Sequence, residues 1–231
     1  MPIIQDEEFG KITIRRSARA SQIRVRVAPD GSLRASLPLY APLFLVRRLL
    51  KSSREELRTI IAQAQPVQEY SDGMQIGKSH TLIVRQTVVN LVKVTRHNQQ
   101  IIVQLPDSTS LNDPIVTRAI RDTVLGALRL EAKSYLPKRL AFLAAKFGHS
   151  YQRVRFSHAS GRWGSCSSTG TISLNIALMK LPFELIDYVI IHELAHTKLL
   201  NHSESFWNLV AVGDPHYRTH RQALKEENPS I

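Results

Sequence analysis

Residues 192–196 read His192-Glu193-Leu194-Ala195-His196 and close an apolar run, Leu185-Ile186-Asp187-Tyr188-Val189-Ile190-Ile191; a third histidine, His202, follows. On a helix that advances about 100° per residue, positions i and i+4 stand one above the other on the same face. His192 and His196 can therefore grip one metal ion, while Glu193 beside them reaches a water held there. Three neutral imidazoles leave tetrahedral Zn²⁺ one open position, the arrangement of a catalytic rather than a structural ion. The ion lowers the pKa of water in that position toward about 7, and Glu193 would take its proton and pass it to a leaving group. Other divalent transition metals also accept imidazole, so zinc is expected on chemistry and is not the sole option. A chance pair of helical histidines beside an ordinary glutamate would not supply the apolar lead-in and His202 as well.

Positioning three rings sets conditions on the chain. The spacing of His192, His196 and His202 is that of metzincin ligands. Ten residues of unbroken helix would leave His202 roughly 80° off the face of His192, so the helix must end before it. Metzincins use a glycine there; this chain has Leu199, and Asn201 is the residue expected to adopt a left-handed conformation. Glu204 is the alternative third ligand, with His202 preferred on spacing.

Pro182 opens the metal helix. Ahead of it, Val154-Arg155-Phe156, Arg162–Cys166 and Thr171–Asn175 read as strands, the last two forming a hairpin about Gly170. Asp113-Pro114 caps a long helix that continues toward Gly148 with a bend near Pro137. A β cluster spans about 74–105, followed by a linker at 106–112. Residues 11–38 read as a β-meander with a turn at Pro29-Asp30-Gly31. From Pro42, the apolar positions Leu45, Leu49, Leu50, Leu57, Ile60 and Ile61 predict one helix to about Gln65. No internal repeat or low-complexity tract is visible. The expected fold class is α+β: a basic, strand-rich region at 1–106 with one helix, then a metal domain at 107–231.

The 231 residues suffice for one large or two small cores. No apolar run approaches the roughly 20 residues needed to span a bilayer, so no membrane role is expected. The acidic start, Met1 to Glu8, lacks the pattern of a secretory signal, and the single cysteine, Cys166, excludes an intrachain disulfide. Both point to a cytoplasmic protein. The net charge of +12 is weighted toward residues 1–106, with 16 Lys/Arg against 8 Asp/Glu. Arg24 and Arg26 share a strand face, with Arg15, Arg16, Arg19 and Arg34 near in sequence. Such charge suits nucleotides or nucleic acid, yet only 6% of residues are aromatic and no stacking platform interleaves the arginines.

From about residue 153 to 220 the chain resembles the YgjP-like (WLM/SprT-related) metallopeptidase family of zincins, and more weakly through residues 11–38. The resemblance is carried by Arg162-Trp163-Gly164-Ser165-Cys166-Ser167, Ile172-x-Leu174-Asn175, Tyr188 to His196, and Asn201-His202-Ser203-x-x-Phe206-Trp207. It implies His192, His196 and His202 as ligands, Glu193 as the catalytic group, and a zincin-like helix–hairpin–helix core. The edge of that hairpin could pair with an extended peptide, with Gly164 permitting close approach, or Trp163 could be core and Gly164 a bulge. Arg162 could hold an anionic substrate group, and Cys166 reads as a small hydrophobe. Tyr188 is expected to line the cleft or the core, with Phe206 and Trp207 packing on the metal helix; His216, Tyr217 and His220 are read as structural. His80, His97, His149 and His158 have no ligand spacing. The leading expectation is a zinc-dependent metallopeptidase acting on a peptide or protein substrate. The alternatives are a metal-dependent hydrolase of a nucleoside triphosphate and a non-catalytic, zinc-stabilised basic binding module; the absence of a Gly-x-x-x-x-Gly-Lys-Ser/Thr loop excludes an ordinary P-loop enzyme.

Overall fold

In the computed structural model, residues 2–18, 20–27, 33–63 and 69–231 are described. The chain is α+β and divides into two compact units, Met1–Glu69 and Tyr70–Ile231. The division expected after residue 106 falls inside the second unit.

Strands β1 (Ile3–Asp6), β2 (Gly10–Arg16), β3 (Arg24–Val27) and β4 (Leu33–Leu37) form one sheet in the order β1-β2-β4-β3. The expected meander is corrected here, because β2 runs parallel to β4 and β3 lies at the edge. Burial explains the order. Ile12 and Ile14 of β2 and Leu33, Ala35 and Leu37 of β4 are buried, whereas β3 exposes Arg24 and Arg26 and suits an edge. Helices α1 (Leu43–Ser52) and α2 (Arg54–Gln63) supply Val46, Leu50 and Leu57 to this core. They stand where one helix was expected, since the chain leaves helical geometry at Ser53 (φ −112°, ψ 24°). The outer sheet face carries Arg15, Arg24, Arg26 and Arg34, with Arg26 directly opposite Arg34. Arg19, the Pro29–Gly31 turn, Gln65 and the side chains of Ile60 and Ile61 lie outside what is described.

The second unit begins with β5 (Gln75–Ile76), β6 (His80–Thr87), β7 (Lys93–His97) and β8 (Gln100–Pro106), ordered β5-β6-β8-β7. Strand order and pairing senses repeat those of the first sheet, down to β6 parallel to β8. The fold therefore contains an internal repeat that no sequence periodicity announces; Leu-Pro at 37–38 and 105–106, at matching positions of β4 and β8, is its faint trace. Helix α3 (Pro114–Lys146) starts at Asp113, whose carboxylate accepts the Ile115 N–H at 2.8 Å. It packs the β5–β8 sheet into the same core as the metal helix, which is why this sheet belongs to the second unit.

Strands β9 (Arg153–Ser157), β10 (Gly164–Cys166) and β11 (Thr171–Asn175) form a sheet ordered β10-β11-β9. The expected hairpin is present, with Gly170 at φ +74° in its turn. A buried 3₁₀ turn at Ile176–Lys180 leads into α4 (Phe183–Ala195), followed by α5 (Glu204–Gly213) and α6 (Tyr217–Glu226).

Candidate metal centre

Helix α4 begins after Pro182 and buries Leu185, Ile186, Val189, Ile190 and Leu194, so most of its circumference faces protein. This fixes the direction in which His192 and His196 point. His196 caps the helix, and the Thr197 and Lys198 N–H groups bond the Leu194 and Ala195 carbonyls at 3.0 Å each. The chain thus leaves through tight i→i+3 turns. Asn98 is the non-glycine residue with positive φ among the described residues, so the expected left-handed Asn201 is corrected. Phe206, fully buried at the start of α5, then holds the returning chain, with its ring 4.5 Å from His196 and 4.8 Å from His202.

The result brings His192, His196 and His202 together, one ligand atom from each lying within 4.8 Å of the others. His192 Nε2 and His202 Nε2 are 3.2 Å apart. For a tetrahedral ion with Zn–N of 2.0–2.1 Å, neighbouring nitrogens stand about 3.3 Å apart. His196 Nδ1 donates to the Leu199 carbonyl at 3.0 Å, which leaves its Nε2 as a lone pair. Burial, then the positive forms of His196 and His202 and the charge of Arg221, push His192 down to about 3. It is neutral at ordinary pH, the form a metal accepts. Its Nδ1 is buried without a hydrogen-bond partner among the described residues. Chemistry and spacing of the donors fit a divalent ion. Glu204 does not join this cluster.

Glu193 is 6% exposed, and its Oε2 is buried without a hydrogen-bond partner among the described residues. Burial pushes its carboxyl up to about 8, against the opposing charge of Arg162. Its other atoms rest on Gly164 of β10, where a Cβ would lie 2.6 Å from Oε1 and 2.8 Å from Cγ. Gly164 thus gives close approach to the glutamate itself. Asn175, fully buried, fixes this wall: its Nδ2 donates to the Ala159 and Arg162 carbonyls at 2.7 and 2.9 Å, and its N–H to Trp163 at 2.8 Å. Asn175 carries no catalytic or ligand spacing in the sequence; the signal for this role is a strand-ending asparagine followed by a turn.

Other expectations are met or refined. Cys166 packs partly buried near Glu193, its thiol pushed up by burial and then by that carboxylate. Tyr188 is buried with its ring 6.0 Å from His192, and burial pushes its phenol up to about 12. Trp207 stacks on His202 at 5.6 Å and on Tyr217 at 5.4 Å. His220 Nδ1 lies 2.7 Å from buried Asp214, a pair the sequence reading missed. Among the remaining histidines, His80 binds Glu131 at 2.6 Å; it, His97, His149 and His158 stay outside the cluster.

His-Glu-x-x-His on a helix, with a third histidine beyond its end, is a motif of metal-dependent peptidases. A model of the YgjP-like metallopeptidase domain matches residues 21–227, and the chain belongs to that family. The match takes in most of the first unit as well as the site. The crystal structure of the metallopeptidase zymogen of Pyrococcus abyssi abylysin is similar at 28% identity over 39% of this chain and 92% of that one, with a TM-score of 0.36. A comparison with curated proteins finds no match.

Proposed function

We propose that this chain is a zinc-dependent peptidase whose centre is His192, His196 and His202 and whose proton carrier is Glu193. The observation carrying this reading is the convergence of three imidazole donors beside a buried carboxylate with one unsatisfied oxygen. When bound, a divalent ion supplies Lewis acidity that polarises the substrate carbonyl and acidifies water. Glu193 Oε2 accepts a proton from the attacking water as its oxygen bonds to the carbonyl carbon. The same carboxyl returns that proton to the amide nitrogen as the C–N bond breaks. Arg162 favours the ionised, proton-accepting form, and Gly164 and Asn175 fix where that carboxylate sits. The outer edge of β10 has no strand partner among the described residues and can align an extended peptide by β-augmentation. Family membership supports a peptide over a nucleotide as substrate. No described helix is long and apolar enough to cross a membrane.

The test is a panel of casein, peptide pools and nucleoside triphosphates offered to zinc-loaded wild type and Glu193→Gln. The variant should keep stoichiometric zinc and lose peptide turnover by about a hundredfold or more. Full activity in the variant, or hydrolysis confined to nucleotides, would overturn the reading.

A further inference from the structure

Beside the histidine triad stands a cation that the proposed proton chemistry does not use. Arg221 is exposed on α6, with Cζ 4.6 Å from the centre of the Trp207 ring. Trp207 lies 5.6 Å from the His202 ring and 5.8 Å from the His192 ring, so one indole separates the guanidinium from two candidate ligands. Tyr217, stacked at 14° on Trp207, steadies that indole. Arg221 has no ion-pair partner among the described residues. Asp214, the acidic group of the preceding turn, is taken by His220 and by the His216 N–H.

The indole that carries the guanidinium also lies against two candidate ligands, so a group held by Arg221 would stand beside the centre. A cation without an ion-pair partner, set there on an aromatic face, fits the recognition of an anion. A planar guanidinium oriented by an aromatic ring presents two parallel donors, the geometry that matches a carboxylate.

We infer that Arg221 is a specificity residue of this site and binds a carboxylate of the peptide substrate, an acidic side chain or the free C-terminus, close to the scissile bond. The inference rests on the peptidase reading. It is tested in zinc-loaded Glu193→Gln protein, which binds without turnover, using one peptide sequence with Asp or Glu against Asn or Gln, each with a free or amidated C-terminus. Tryptophan fluorescence reports binding, since Trp207 lies against two candidate ligands and under Arg221. The carboxylate-bearing peptide should bind about tenfold tighter than its neutral counterpart, the yield of a charge-assisted bidentate contact. Whichever pair shows the preference identifies the source of the carboxylate. Adding Arg221→Gln should bring the two peptides within about twofold, a narrowing taken from that same contact energy. Arg221→Lys, which keeps charge but loses the fork, should restore only part of the preference. Lys225→Gln, the same charge change on the same helix, should leave the preference intact. Equal preference in Arg221→Gln and its parent would overturn the inference. Peptides bound or cleaved without regard to carboxylates would sink this inference alone, whereas no binding or cleavage of any peptide would sink the peptidase reading with it.

Discussion

Glu193 owes its position to the missing side chain at Gly164. The carboxylate lies so close to the β10 backbone that a Cβ there would overlap Oε1, Cγ and Cδ, at 2.6, 2.8 and 2.9 Å. Gly164→Ala should therefore displace Glu193 while the fold and the three imidazoles remain. Peptide turnover should fall by about a hundredfold, the scale of a misplacement near 1 Å in a reacting group, with zinc stoichiometry and circular dichroism unchanged. Near-normal turnover would mean that the glutamate is not held by this contact. At this scale the sequence revealed what local geometry controls. The i, i+4 pair and the position of Glu193 follow from helical periodicity, and His202 from the need for the helix to stop. Gly164 against Glu193, and Arg221 over Trp207, depend on how separate elements pack, which no local spacing records. Leu199 misled in a specific way: it suggested that a left-handed residue must replace the missing glycine, whereas i→i+3 turns sufficed.

Elements are joined to the site's core by a carboxylate of another kind. Glu131, in the middle of α3 and 8% exposed, accepts the Lys78 N–H at 2.7 Å, the Ser79 N–H at 3.0 Å and the Ser79 hydroxyl at 2.7 Å, and pairs with His80 at 2.6 Å. Lys78 Nζ donates to the Leu181 carbonyl just ahead of α4. Burial acts to raise Glu131, yet the surrounding donors together hold its carboxyl below the ordinary 4.5. A folded-state pKa below the unfolded one gives stability that is present above 4.5 and lost as pH falls through the lower folded value. Glu131→Gln should destabilise the second unit by about 2–3 kcal/mol at neutral pH, because an amide cannot accept from four donors. The gap to wild type should narrow as the wild-type carboxyl protonates. Urea unfolding across pH checks this; a gap independent of pH would refute the electrostatic part. Strand alternation made the elements legible, but not their pairing. The parallel partners β2 with β4 and β6 with β8 skip the strand between them, and alternation reads the same for either neighbour.

At the scale of the molecule, two sheets of one topology serve different ends. The first packs on α1 and α2 in a core of its own, while the second is built into the core that carries α4. The family match from residue 21 to 227 reaches both. Composition suggested a boundary after residue 106 because basic strands give way to helices there, but burial against α3 places 75–106 with the metal helix. All three candidate ligands come from the second unit, so metal binding should be linked to the stability of that unit. Zinc at a thousandfold excess over its dissociation constant would add about 4 kcal/mol to unfolding. His202 provides the clean test because it is exposed and contributes little to the apolar core. His202→Ala should leave metal-free stability within about 0.5 kcal/mol of wild type. It should also lose most of the zinc-dependent increment in urea unfolding. An increment equal to that of wild type would remove His202 from the ligand set and reopen the case for Glu204.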